Sequence, residues 1–141
     1  MDSNEIEDIL SYTDHFMGCY AYNQLPSIRT TFPKSLIINT AHSDTVGEHW
    51  VALVLQKKKC FYFDSFGLPV INEDILHFLH RYKKVTYTDV CIQKTFSDYC
   101  GKFCIAFIKN VHDRRSYNAF IDQFDFVNLY KNDTIVENIY L

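Results

Sequence analysis

A cysteine followed by glycine at the mouth of an apolar helix can place a reactive thiol, and Cys100-Gly101 is such a pair. Apolar residues recur at Cys100, Phe103, Cys104, Phe107, Ile108 and Val111, the spacing of a buried helix, directly after the loop 95–99. A thiol in a first helical turn feels the positive end of the helix dipole and faces free backbone N–H groups. Both favour thiolate, the form that attacks carbonyl carbon. Gly101 is expected to let a substrate backbone come close. The commoner arrangement is a small buried cysteine opening a core helix, and Cys104, one turn deeper, fits that pattern.

A thiolate nucleophile needs an imidazole to take its proton and return it to the leaving amine. His49, where a polar stretch enters a strand, is the candidate base, and Trp50 beside it offers an apolar wall to steady the ring. Asp64 ends the other strand of the same tight hairpin. The start of one strand and the finish of the next fall at the same end of a sheet, so Asp64 is expected beside His49, orienting the ring and stabilising imidazolium. Taken alone, Asp64-Ser65-Phe66-Gly67 is an ordinary turn opened by Asp. Gln93, expected at the end of a strand, is a candidate oxyanion donor through its amide N–H, with the Cys100 backbone N–H as the second donor.

The elements that must position these residues can be read from periodicity. A short helix over 3–12 is capped by Asp2 or Ser3 and carries Ile6, Ile9 and Leu10 on one side. Residues 18–33 show no clean period and read as an ordered loop. A buried strand follows at 34–39, and residues 40–47 are polar. Residues 49–56 and 60–64 form a hairpin about the lysines 57–59. Asn72 caps a helix with Glu73 and Asp74 in its first turn, and Arg81, Lys83 and Lys84 suit its C-terminal end. A strand is expected over 85–93, the buried helix from 100, a third helix over 117–124, and a short one after Asn132 or Asp133. The class is α+β: a small central mixed sheet flanked by helices, in a single domain spanning 1–141, without internal repeats.

Composition bounds the partners. The 141 residues are 48% hydrophobic and 16% aromatic, with only four Gly and three Pro, which suits one compact core. A net charge of −3 argues against a general affinity for nucleic acid. Basic runs at Lys57-Lys58-Lys59, Arg81 with Lys83-Lys84, and Arg114-Arg115 leave a weak nucleic-acid contact open. The acidic start Met1-Asp2-Ser3-Asn4-Glu5 is unlike a secretory signal, and no apolar run reaches the length of a membrane span. Five cysteines, an odd number, suit an intracellular protein with free thiols better than a disulfide framework.

Together, Gly47-Glu48-His49-Trp50, Phe63-Asp64-Ser65-Phe66-Gly67, Gln93 and Cys100-Gly101-Lys102-Phe103-Cys104 resemble adenain, the adenovirus-type cysteine endopeptidase with relatives in Maverick/Polinton elements and related DNA viruses. Gly18-Cys19-Tyr20 and Ser35-Leu36-Ile37-Ile38-Asn39-Thr40 extend the likeness to about residues 15–112. The resemblance implies a papain-like site in the permuted order His, acid, Cys: His49 the base, Asp64 the orienting acid, Gln93 an oxyanion donor, Cys100 the nucleophile. It implies viral capsid or core precursor proteins as substrates, cut after short motifs ending in glycine, in the host nucleus or the virion. The chemistry requires no cofactor or metal. Adenain is activated by a peptide disulfide-linked near the start of the strand carrying the oxyanion glutamine, and by DNA. Here residues 82–84 hold no cysteine, and Cys91 reads as a buried side chain near that strand's end. A non-covalent activator peptide is therefore the form left open, and a monomer is the expected state. The chain is shorter than typical adenain, and from about Ser116 onward it shows no likeness.

Three other readings compete. Proteases for ubiquitin-like proteins share the His-Trp, Asp, Gln and Cys-Gly pattern and the glycine-ended cleavage site. A zinc-binding module would use Cys91, Cys100, Cys104 and His112, at a spacing unlike standard structural sites. An inactive relative would merely bind peptides, although all four expected positions are filled.

Overall fold

The computed structural model describes residues 1–27, 34–40, 49–112 and 116–140. Gly47 and Glu48, most of the polar stretch 40–47, and Arg114-Arg115 lie outside the described residues. Five strands form one mixed sheet in sequence order: β1 (Phe16–Ala21), β2 (Lys34–Asn39), β3 (Trp50–Leu55), β4 (Lys59–Phe63) and β5 (Lys84–Tyr87). β1 runs parallel to β2, and β4 parallel to β5. β2 and β4 run antiparallel to β3 between them.

β2 and β3 read as unbroken apolar runs because both sheet faces are covered. Ile37, Ala52, Val54 and Phe63 face one layer, made by α1 (Ser3–Leu10), α3 (Cys100–His112), α4 (Tyr117–Ile121) and α5 (Tyr130–Tyr140). Leu36, Ile38, Val51, Leu53 and Leu55 face the other, where α2 (Glu73–Leu79) and a 3-10 helix (Tyr22–Ser27) contribute Ile75, Phe78, Leu79 and Leu25. At the centre of the first layer the Phe63 and Phe107 rings stack 4.6 Å apart, 7° from parallel, with Phe120 edge-on to both. Burying one such ring contributes about 2–3 kcal/mol. α3, apolar nearly all round, is thereby fixed against β3 and β4.

The caps agree with the sequence. Asp2 and Glu5 form a reciprocal capping box on α1, Asn72 Oδ1 accepts the Ile75 N–H, and Ser116 Oγ accepts the Ala119 N–H. Other expectations need correction. Residues 18–21 of the presumed loop belong to edge strand β1, which starts at Phe16 and is half-buried along its length. Gly18, at φ +124°, interrupts its register with β2, so no alternation is left to read. Residues 28–33 of that segment lie outside the described ones.

The strand expected over 85–93 stops at Tyr87, because its partner β4 stops at Phe63. Beyond it, Thr88 N–H bonds Tyr62 O, and Ser65 O accepts the N–H groups of both Ile92 and Gln93. Gln93 thus sits in a loop held to the turn after β4, not at a strand end. α2 ends at Leu79, short of Arg81 and Lys83, and Lys84 already belongs to β5. α4 ends at Ile121, and α5 begins at Tyr130, before Asn132 and Asp133. Among the described residues, no helix is long and apolar enough to cross a membrane.

Candidate active site

The hairpin and α3 meet at one end of the sheet. Ala52 pairs with Phe63 across the hairpin, so the residues just outside the pairing, His49 and Asp64, come together. His49 precedes β3, and its carbonyl accepts the Thr40 N–H at 2.9 Å. Its Nε2 lies 2.8 Å from Asp64 Oδ1. The same carboxylate oxygen accepts the Phe66 N–H at 2.9 Å, and the Asp64 N–H donates to Thr88 Oγ1 at 3.1 Å. Asp64 is 4% exposed, so its bonds are shielded from competing water. The wall steadying the imidazole is Phe66, with ring centroids 5.0 Å apart, and not Trp50 as its position beside His49 suggested. The Trp50 indole donates to the Met1 carbonyl at 3.1 Å.

Cys100 opens α3. Burial opposes its ionisation, but the His49 ring and the backbone N–H groups of Trp50 and Gly101 all favour the negatively charged sulfur. The net effect holds its pKa below the ordinary thiol value. With Nε2 on Asp64, Nδ1 is the ring nitrogen left for Cys100. Burial likewise opposes protonation of His49, and the bonds and negative charge of Asp64 and Cys100 outweigh it, raising His49 to about 9. The two shifts point to one arrangement: thiolate beside imidazolium.

The other buried thiols behave oppositely. Burial pushes Cys60 up to about 12, burial and the Glu7 carboxylate push Cys19 up to about 12, and fully buried Cys104 lies well above the ordinary value. Cys91 is exposed rather than buried, and its thiol donates to the Gln93 carbonyl.

Gln93 is wholly buried as a residue yet borders the cleft. Its side-chain Oε1 accepts the Ser65 hydroxyl, and its Nε2 donates to the Ser97 carbonyl at 2.8 Å. A primary amide carries two hydrogens, so one remains for the cleft. His49, Phe66, Trp50, Met1, Asp98 and Cys100 form the rest of the lining with Ser97. All four residues singled out from the sequence, His49, Asp64, Gln93 and Cys100, therefore converge. Gly101 has another task than expected: a Cβ there would press on Trp50 Cδ1, Ile6 Cδ1 and Met1 Sδ at 3.2–3.3 Å, so it serves packing of α3 against α1 and β3.

Two contributors escaped the sequence reading. The Trp50 N–H is a backbone donor and leaves no trace in residue type. Ser65 could have been noticed as the residue after the acid, but its partner lies 28 positions away. The zinc alternative finds no geometry: among the described residues, no three metal-binding side chains cluster, and Cys91, Cys100, Cys104 and His112 do not converge.

The adenovirus endoprotease family model matches residues 16–77, which take in β1 to α2 with His49 and Asp64 but stop before Gln93 and Cys100. A crystal structure of a protease from African swine fever virus (ASFV) superposes with a TM-score of 0.58 at 17% identity, covering 89% of this chain and 60% of that one. A selenomethionine crystal form of the ASFV protease gives 0.49 at 21% identity, covering 67% and 40%. This chain thus spans about three-fifths of the length of the ASFV protease. In sequence from β1 to α2, and in fold over most of its length, the chain is similar to the adenovirus endoprotease family and to the ASFV protease, and the adenain-type resemblance read from its motifs holds.

Proposed function

We propose that this chain is a viral cysteine endopeptidase that hydrolyses peptide bonds in capsid or core precursor proteins. The observation that carries the reading is that His49 and Cys100 line one cleft, with His49 Nε2 2.8 Å from Oδ1 of buried Asp64. In the mechanism, Cys100 thiolate attacks the scissile carbonyl carbon; an S–C bond forms and the carbonyl π pair moves to oxygen. That oxyanion meets the Gln93 side-chain amide and the Cys100 N–H. Imidazolium His49 passes its proton to the leaving nitrogen as the C–N bond breaks, leaving a thioester. Neutral His49 then takes a proton from water as its oxygen attacks the thioester. The S–C bond breaks, thiolate returns and the acid product leaves. Asp64 keeps the ring turned throughout.

The preference for motifs ending in glycine is an inference from family resemblance, as is action within the host nucleus or virion. A non-covalent activator peptide belongs to the same inference. The test is alkylation of the native protein by iodoacetamide, with the modified cysteine located by mass spectrometry, alongside cleavage of candidate precursors. Cys100 alone should react fast at pH 6, and Cys100→Ala and His49→Ala should each remove cleavage while still folding to a cooperatively melting protein. Normal turnover by either variant would end the mechanism. Processing of a ubiquitin-like precursor, with no cut in a capsid precursor, would reassign the substrate.

A further inference from the structure

α5, beyond the residues matched by the family model, lies against the loop that joins Gln93 to Cys100. Asn132 is fully buried and donates its two amide hydrogens to Ile92 O at 2.8 Å and Asp125 O at 2.7 Å, while its Oδ1 accepts the Asp125 N–H at 2.8 Å. It fastens α5 to the residue before Gln93. The next residue, Asp133, accepts the Ser97 hydroxyl on Oδ2 at 2.9 Å. A carboxylate only accepts, so the hydroxyl must spend its hydrogen there and offer lone pairs elsewhere. It does so to the Tyr99 N–H at 3.2 Å, while the Ser97 carbonyl accepts Gln93 Nε2–H.

Elsewhere the turn 94–97 is held by the Lys94 ammonium, 4.6 Å from the centre of the Tyr130 ring of α5. The Ser97 N–H closes it onto Lys94 O at 3.1 Å, but Phe96 sits at φ 69°, a left-handed conformation disfavoured for a residue with a side chain. The Phe96 side chain is wholly exposed, so no packing of its own pins the turn. The His49–Asp64 pair, in contrast, is held by the hairpin and by Thr88, without α5.

We propose that Asp133 is a positioning residue for the oxyanion hole: acting through Ser97, it fixes the direction of the Gln93 Nε2–H that faces the cleft. The proposal rests on Cys100 being the nucleophile. It separates two halves of the site, with the hairpin controlling the thiolate and α5 controlling the donor that receives the oxyanion. A misdirected donor forfeits much of what it contributes, because such stabilisation depends on preorganised geometry.

Two reagents read the halves separately. Iodoacetamide reports the thiolate and forms no oxyanion; a peptide aldehyde ending in glycinal forms a hemithioacetal whose oxygen needs the hole. Asp133→Ala should weaken aldehyde binding by about tenfold or more, with the iodoacetamide rate and its pH profile unchanged. Asp133→Asn, which keeps an acceptor for Ser97, should restore aldehyde binding. Ser97→Ala, as a second variant, should repeat the split. Loss of both reactivities together, an unchanged aldehyde affinity, or an Asn variant as poor as Ala would each overturn the proposal. A wild-type Cys100 no more reactive than Cys91 would instead overturn the nucleophile assignment, and this inference with it.

Discussion

Asp64 Oδ1 holds His49 Nε2 at 2.8 Å and, with the same oxygen, the Phe66 N–H at 2.9 Å. The acid is therefore not a free carboxylate that happens to meet an imidazole. It is locked by its own turn, and that turn also delivers the Phe66 ring to the imidazole face. The next residue, Ser65, binds Gln93. Two consecutive residues thus fasten the base and the oxyanion donor.

Replacing Asp64 by Asn should test both duties. The amide can still pair with one neighbour, but it carries no charge, and the support Asp64 gives to protonated His49 is reduced. His49, now raised to about 9, should titrate lower by NMR. Turnover should fall, yet by less than in His49→Ala. Because the site is buried and polar, stability should also drop by about 1–3 kcal/mol in denaturant unfolding. A turnover loss equal to or larger than that of His49→Ala would mean Asp64 does more than orient the ring.

The pH dependence follows from the two shifts. Cys100 is lowered, so its alkylation rate should rise with pH through a midpoint below the ordinary thiol value of 9.0. His49 is raised from 6.5 to about 9 on folding. A base raised on folding stabilises the native state fully below its unfolded pKa, and that contribution is lost as pH rises through the folded one. The melting-temperature advantage of wild type over His49→Gln that arises from His49 protonation should therefore be lost through about pH 9. Midpoints at unperturbed values for both groups would mean the ion pair does not form.

Gly67 should tolerate no side chain. It closes the Asp64 turn by donating its N–H to Asp64 O at 2.8 Å, with φ at +65°. A Cβ there would lie 2.5 Å from Val90 O and 2.6 Å from its carbonyl carbon. The left-handed penalty and a backbone clash add, so Gly67→Ala should cost about 2 kcal/mol or more. The clash pushes on the chain leading to Gln93, so aldehyde affinity should fall as well. A melting temperature within a degree of wild type would refute this account of the turn.

Much of this site was legible in the sequence because His49, Asp64 and Cys100 sit at the ends of strongly patterned elements. β2 and β3 stand out as apolar runs, α2 and α3 carry a helical period, and hairpin geometry alone places Asp64 near His49. Cys100 was readable for the same reason, as the first residue of an apolar helix. What stayed hidden depends on backbone groups or on long sequence separations. The Trp50 N–H could not be inferred from an indole. The Ser97–Asp133 and Asn132–Ile92 bonds join segments 36 and 40 residues apart. β1 was missed because Gly18 breaks the alternation that would reveal it, and the strand through Gln93 was overextended because periodicity does not show where a neighbouring strand ends.

Trp50 is the chain's single tryptophan. Its main-chain N–H favours the Cys100 thiolate, and its indole bonds Met1 O and packs on Gly101. Indole emission, excited at wavelengths where the ten tyrosines do not absorb, therefore originates at one place, beside Cys100. Light absorbed by a lone indole, with no second fluorophore of its kind to dilute the signal, makes occupancy or ionisation of that sulfur readable as a change in colour or brightness without any attached dye.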